Sequence, residues 1–312
     1  MREIKHVNLK TYQRDGRKSI GELYDAYERF EEELWIRERI HNQKFQTKRK
    51  SKKHSLPILG FRTKLKGPAA WIISGIHGEE PSGPNAISQY VGFLNDLAIK
   101  IPLVVLPLCN PVGYTLNWRY PDRRKSPKEK KELVKSVGDS EHYLQDLKNP
   151  KKPRKKKPSC KEAEEITSFV LKRIRRYPPV LVLDFHEDES ASSLYIYSQG
   201  KLGASDPVAK AVVKILEEKG FRIRKNGKTR YGQDIKEGIT GRVSDGSIDE
   251  LLASKHVIVN NEIRRKPSAK SVITVETSTK NMPMKIRVKA HSEVLLSTEK
   301  FFDMIKSHGR NN

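Results

Sequence analysis

Apolar positions in this chain recur at two spacings, and each spacing predicts a different element. Between residues 18 and 42, Ile20, Leu23, Tyr24, Tyr27, Phe30, Leu34 and Ile36 recur at roughly helical intervals with charges between them. That pattern predicts one amphipathic helix docked on the rest of the molecule. Residues 55–63 and 69–73 read as two strands turned at Lys66-Gly67-Pro68. Residues 84–99 place Ile87, Val91, Leu94 and Leu97 on one helical face. Residues 101–108 are almost wholly apolar and rich in β-branched side chains, the mark of a central strand. Ser159, with Glu162 at capping-box spacing, opens a helix to about residue 176. Strands follow at 179–185, 194–197 and 271–275, and helices at 205–219, 246–254 and 291–305. Strands alternating with helices imply a largely parallel sheet covered on both faces.

Two segments break the pattern through charge. Residues 43–54 are a basic linker, and residues 123–158 form a Lys-rich, Pro-punctuated insertion ending KNPKKPRKKKPS. The expected organisation is an N-terminal segment, 1–54, followed by one α/β domain, 55–312, that carries the insertion as a partly mobile surface feature. The formal net charge of +24 favours acidic or polyanionic partners, or only solubility. With 36% hydrophobic residues the chain can bury a core. No run approaches the length of a membrane span, and the start, MREIKHVNLK, lacks a signal-peptide apolar region. A soluble, cytoplasmic protein with no membrane contact is expected. Cys109 and Cys160 have no spaced partners of the kind that builds a metal knuckle or disulfide framework.

The chemistry gathers where apolar runs stop. The run 69–73 ends in Ser74-Gly75-Ile76 and then His77-Gly78-Glu79-Glu80; 179–185 ends at His186; 271–275 ends at Glu276. Parallel strands deliver their carboxyl ends to one edge of a sheet. Two imidazoles and a carboxylate, His77, Glu80 and His186, make a zinc-ligand set with a fourth position left for water. Glu276 is then placed to take the proton of that water and hand it to a leaving nitrogen.

These motifs, in this order, resemble the M14-type zinc carboxypeptidases and their relatives, the succinylglutamate desuccinylase and aspartoacylase group. Gly75-Ile76-His77-Gly78-Glu79-Glu80 resembles the first ligand pair, and Asn110-Pro111-Val112-Gly113-Tyr114 the Asn-Pro-x-Gly-aromatic turn. Asp184-Phe185-His186 resembles the third-ligand strand. Gly246-Ser247-Ile248-Asp249 resembles the segment lining the specificity pocket, and Val275-Glu276-Thr277-Ser278 the general-base strand. The resemblance covers about residues 55–305. It implies an α/β/α sandwich on a mixed, mostly parallel sheet of about eight strands, one zinc ion per chain, and a peptide or N-acyl amino acid substrate. It also implies an arginine after the Asn-Pro turn that polarises the scissile carbonyl. Arg119, Arg123 and Arg124 follow that turn, and Arg123 is the first choice. Asn110, Arg119 and Asp249 are expected at the substrate.

The departures bear on specificity. In place of the peptidases' Gly-x-Asp-x-Asn-Arg the chain has Gly138-Asp139-Ser140-Glu141-His142. Asp139 suits the support of the first ligand histidine. Glu141 and His142 stand where the family grips a terminal carboxylate with Asn and Arg, and they lack arginine's bidentate fork. The family's pocket tyrosine corresponds to Gly241, with Arg242 beside it as a candidate anion-binding group. The leading expectation is a zinc-dependent amide hydrolase, a metallopeptidase. The alternatives are an N-acyl amino acid deacylase and a polyanion-binding protein with a vestigial site. For the insertion, the expected uses are nonspecific polyanion contact or electrostatic steering of acidic substrates.

Overall fold

The computed structural model describes residues 10–46, 53–121 and 136–308. Helix α1 (Ile20–Tyr27) starts at Ser19, whose hydroxyl accepts from the Glu22 N–H while the Glu22 carboxylate accepts from the Ser19 N–H. This capping box satisfies two of the N–H groups that a helix start leaves free. The helix predicted over 18–42 ends early. The chain turns after residue 27 and becomes β1 (Trp35–Gln46), antiparallel to β2 (Lys53–Thr63). Phe30 meets Trp35 at 4.8 Å and stacks on Phe61 at 4.3 Å. The aromatic stripe is thus one apolar cluster shared by a helix, a turn and two strands. The described ends of the predicted basic linker are also strand.

The chain continues through β3 (Ala69–Ser74), α2 (Ser82–Gln89), α3 (Val91–Lys100), β4 (Leu103–Leu106) and α4 (Pro111–Leu116). The helix predicted over 84–99 is therefore two, broken at Tyr90. Next come α5 (Lys161–Arg173), β5 (Pro179–Asp188), β6 (Tyr195–Ser198) and α6 (Pro207–Glu218). Ser159 does not cap α5: its hydroxyl donates to the Ser136 carbonyl at 3.2 Å, and Cys160 is the capping residue. Then follow β7 (Asn226–Lys228), β8 (Asp234–Lys236), β9 (Ile239–Thr240), α7 (Ile248–Ala253), β10 (His256–Val259) and β11 (Glu262–Arg265). The last elements are β12 (Ser271–Ser278), α8 (Met284–Leu296) and α9 (Thr298–His308). The closing helix predicted from 291 is thus again a pair.

Among the described residues the main sheet has ten strands in the order β1-β2-β4-β3-β5-β12-β6-β9-β8-β7, more than the eight expected. β4, β3, β5 and β12 form a parallel centre. Antiparallel pairing resumes at β2 and β6 on either side. Side-chain alternation along the central strands separates two cores. Ala70, Ile72, Leu181, Leu183 and Ile273 pack with α1, α2, α3, α6, α8 and α9. Ala69, Trp71, Ile73, Val182 and Val272 pack with α5 and α7 on the other face. Strands buried on both faces are continuous apolar runs, as the sequence has them. The result is the expected three-layer α/β/α sandwich.

Candidate active site

Three adjacent parallel strands deliver the site to one edge of the sheet. β3 hands over to the loop carrying His77 and Glu80. β5, paired with β3, carries His186, and β12, paired with β5, sets Glu276 directly opposite His186. Gly75 turns the chain out of β3 at φ +65, a left-handed conformation that disfavours a side chain. At Gly78 a Cβ would lie 2.0 Å from the Gly113 carbonyl carbon, so only glycine lets the ligand loop cross the start of α4. The fully buried Arg17 braces the crossing. It donates to the Gly78 carbonyl at 3.0 Å and the Tyr114 carbonyl at 2.6 Å, and pairs with Asp15.

His77, Glu80 and His186 each aim one ligand atom into a common space, with all of these atoms within 4.8 Å of one another. Glu80 lies between the rings: Oε1 is 2.9 Å from His77 Nδ1, and Oε2 is 2.9 Å from His186 Nδ1. His77 Nδ1 is buried with no hydrogen bond of sound geometry, an orphaned atom that a cation would satisfy. On the far side of the other ring, His186 Nε2 meets Asp184 Oδ2 at 3.1 Å, which fixes the ring and leaves Nδ1 facing the cluster. Burial, then the Arg119 charge, lowers the His77 pKa to about 4, so this ring is neutral and able to ligate. Burial opposes the Glu80 charge, but His77, Arg119 and His186 outweigh it and hold that carboxyl well below the usual range. At His186 burial opposes the charge too, and the Asp184 and Glu80 carboxylates override it and raise the pKa well above the usual value. The carboxylates thus favour positive charge at this position, which a bound divalent cation would also supply. An imidazole–carboxylate–imidazole set is also what zinc accepts.

Glu276 and Arg119 line the cavity of about 680 Å³ that contains this cluster. Burial is the main cause that raises the Glu276 pKa to about 7, with Glu80 and Asp188 adding to it and His186 and Arg230 opposing. Arg119 bonds Glu79 Oε1 at 3.0 Å and Glu80 Oε1 at 2.7 Å. Asn110 lies outside the cavity and acts one step back. It caps α4 and donates from Nδ2 to the Arg119 carbonyl at 3.2 Å, fixing the turn that presents that guanidinium.

The other expected residues are distributed unevenly. Asp249 lines the cavity, accepts from the Thr274 hydroxyl at 2.6 Å, and is raised well above the carboxylate range by burial and then by Asp184. Asp139 also lines the cavity but does not contact His77. Its carboxylate accepts from the Glu141 N–H at 3.1 Å and faces Lys155 at 3.4 Å. Glu141 pairs with the same lysine. His142 is outside the cavity lining, its ring 4.6 Å from Tyr143 and both nitrogens buried without a hydrogen-bond partner among the described residues. Arg242 is exposed and does not line the cavity. Arg123 lies outside the described residues, as does 122–135 of the basic insertion.

The described part of that insertion, 136–158, is folded onto the site rather than projecting from it. Arg154 makes two bonds, 2.8 and 2.7 Å, to the Glu250 carboxylate on α7. The neighbouring Lys155 then lines the cavity. Lys151, Lys152, Lys156 and Lys157 are exposed. Sequence reasoning missed Asp184, Lys155 and Arg230 at the cavity. Only Asp184 carried a usable signal, lying two residues before His186 on the same face of one strand.

No protein-family model matches the sequence, and no curated protein matches it. Solved structures do share its fold. A provisionally named metallopeptidase from Shewanella baltica superposes with a TM-score of 0.67 at 18% identity, covering 91% of each chain. Bovine thrombin-activatable fibrinolysis inhibitor, in complex with tick carboxypeptidase inhibitor, gives 0.59 at 15% identity, covering 94% of this chain and 99% of that one. A metallo-carboxypeptidase from Pseudomonas aeruginosa, in complex with (2-guanidinoethylmercapto)succinic acid, gives 0.54 at 14% identity over 91% and 68%. The chain therefore has the M14-type carboxypeptidase fold.

Proposed function

We propose that this chain is a zinc-dependent amide hydrolase, a metallopeptidase of the M14 type. The observation that carries the reading is the convergence of His77, Glu80 and His186 within 4.8 Å, in one cavity with Glu276. In this reading the three residues hold one zinc ion, which when bound lowers the pKa of a water and polarises a carbonyl oxygen. Asp184 keeps the His186 ring in the orientation that leaves Nδ1 free. Glu276, on the strand beside His186, takes the proton from the attacking water and returns it to the leaving nitrogen. Its burial keeps proton affinity near neutrality, where a base can both accept and release. Arg119 offers a fixed guanidinium to the charge that develops on the substrate oxygen. Its placement in the cavity supports it for this role.

A deacylase acting on N-acyl amino acids is the second reading. It is favoured by one feature: Glu141 and His142 offer no guanidinium for a peptide terminus, and Glu141 is already paired with Lys155. The test is elemental analysis of the purified chain together with turnover on peptides and on N-acyl amino acids. About one zinc per chain is expected, lost on His77→Ala or His186→Ala. Full zinc occupancy in either variant would end the reading. Preference between the two substrate sets separates peptidase from deacylase.

A further inference from the structure

A second cavity, of about 470 Å³, is lined by Arg175, Lys255, Arg265, Lys266, Pro267 and Ser268. Three stretches of chain meet there. Arg175 lies in the turn between α5 and β5, which is closed by the Arg176 and Tyr177 N–H groups donating to the Arg173 carbonyl, both at 2.9 Å. Lys255 lies between α7 and β10, and Arg265 ends β11. The hairpin of β10 and β11 pairs His256 with Arg265, and the Lys266 N–H donates to the Lys255 carbonyl at 2.9 Å, so the base of the hairpin holds these residues together. Arg175 precedes the amino end of β5, and Lys266 to Ser268 precede that of β12; His186 and Glu276 lie toward the carboxyl ends of the same two strands. A strand rise of about 3.3 Å per residue puts Ser271 roughly 17 Å from Glu276. The cavity is therefore separate from the candidate active site.

Positive charge is concentrated here without a counter-charge. No carboxylate lines the cavity, and among the described residues Arg175, Lys255 and Arg265 make no ion pair. Arginines close by in sequence are paired, Arg173 with Glu38 and Arg264 with Glu262. Arg175, Lys255 and Arg265 are exposed, but Lys266 is only 7% exposed. Its ammonium donates to the Ser254 carbonyl, at the end of α7, and to the Pro267 carbonyl. The two carbonyls fix its position and leave one N–H and the whole charge uncompensated. Burial lowers its pKa to about 7, with no carboxylate near enough to oppose the effect. Lysines of a basic surface stay solvated at little cost. An ammonium buried beside three further cations is costly unless it sheds its proton or an anion completes the group.

We propose that this cavity binds a small anion carrying two adjacent phosphate groups, either free diphosphate or a nucleoside diphosphate. The proposal does not depend on the amide-hydrolase reading. Arginine forks grip phosphate oxygens through paired bonds, and lysine supplies a point charge. One phosphate group carries about −1.5 to −2 near pH 7, so two of them balance the four cations of the lining. The volume falls in the range of roughly 300–1,000 Å³ that suits small ligands. A nucleic acid calls instead for a basic stripe that follows its backbone. Here the charge converges on one buried ammonium in a concave site.

The test is calorimetry of the full chain, near pH 7 and at physiological ionic strength, with inorganic pyrophosphate, inorganic phosphate, ADP and a short DNA duplex. The expected result is saturable binding of about one pyrophosphate per chain at this site, tighter than that of phosphate. Lys266→Met, and the double variant Arg175→Gln with Arg265→Gln, should each weaken it about ten- to hundredfold, as loss of charge-assisted bonds does. The double variant changes only exposed side chains, so it keeps the test valid if Lys266→Met fails to fold. A control, Lys151→Gln with Lys152→Gln, removes the same net charge from exposed positions elsewhere and should change binding less than twofold. Because pyrophosphate also binds metal ions, His77→Ala is included, and binding at the second cavity should survive it. ADP binding more tightly than pyrophosphate assigns the ligand to nucleotides, and ADP binding no more tightly assigns it to the diphosphate alone; both support the proposal. Several outcomes overturn it: no saturable pyrophosphate binding at millimolar concentration, phosphate binding as tightly as pyrophosphate, an equal loss in the control variant, or loss of binding in His77→Ala. Duplex binding that these variants weaken, without pyrophosphate binding, also overturns it and makes the patch a nucleic-acid contact.

Discussion

At the scale of single residues, the candidate site contains a set of charges whose protonation is fixed by burial and by neighbours. Glu276 is the group whose chemistry is most exposed to test. Glu276→Gln preserves shape and replaces a basic carboxylate by an amide that cannot take up the water's proton, so zinc content should stay at the parental level while kcat/KM falls by roughly 10²–10⁴. Zinc analysis and turnover on the same preparation check both halves. Near-parental turnover would move the base elsewhere, with Glu79, also raised by burial, next in line. The candidate ligands and Glu276 were legible because each ends an apolar run, and strand ends are where a parallel sheet gathers chemistry. Arg230 and Lys155 were not. One is on a hairpin tip and the other in a Lys-rich stretch, and nothing local distinguishes a cation that will line a cavity from one that will face water. Only tertiary placement separates Lys155, bonded to Asp139 and Glu141, from the exposed Lys156 beside it.

Elements tell a related story. The central strands and their order of alternation with helices could be read because a strand buried on both faces leaves a continuous apolar run. The edge strand β1 could not: WIRERIHNQKFQ is polar enough to keep one side in water, and its apolar residues also match a helical period over a short window. Its identity comes from pairing with β2, a long-range contact. The same N-terminal region reaches the candidate site through Arg17, which joins Asp15, the Gly78 carbonyl of the ligand loop and the Tyr114 carbonyl of α4. Arg17→Met removes the cation and leaves the Gly78 and Tyr114 carbonyls without this donor, while Asp15, partly exposed, still accepts from the backbone N–H of residue 17. Leaving a buried acceptor unpaired costs about 1–3 kcal/mol for each group. The expected outcome is a lower Tm together with weaker zinc retention in a chelator competition, since the Gly78 loop carries His77 and Glu80. A fall in Tm with parental zinc affinity would restrict Arg17 to general stability.

Taken as a whole molecule, the fold carries at least one buried titration far from the zinc-ligand candidates, and it makes a prediction free of the metal. Lys266 is 7% exposed, and its ammonium donates to the Ser254 and Pro267 carbonyls. Burial alone lowers its pKa from 10.5 to about 7. The folded-state value is thus below that of the unfolded chain. Between pH 7 and 10.5 the unfolded chain holds a proton that the fold has released, so stability rises with pH across that window. Below about pH 7 both states are protonated and the full cost of burying the ammonium is present. One such group contributes a slope of at most about 1.4 kcal/mol per pH unit. Lys266→Met keeps an unbranched apolar stem and removes the titration, while also leaving two carbonyls without their donor. Absolute stability therefore mixes two effects, and the informative quantity is the difference in slope. Urea unfolding of parent and variant, measured at intervals from pH 6 to 10, should give a parent that gains on Lys266→Met steadily above pH 7 and runs parallel to it below. Other alkaline titrations are common to both proteins and cancel. Parallel curves throughout would mean that Lys266 stays protonated in the fold across the whole range, held by the two carbonyls despite its burial.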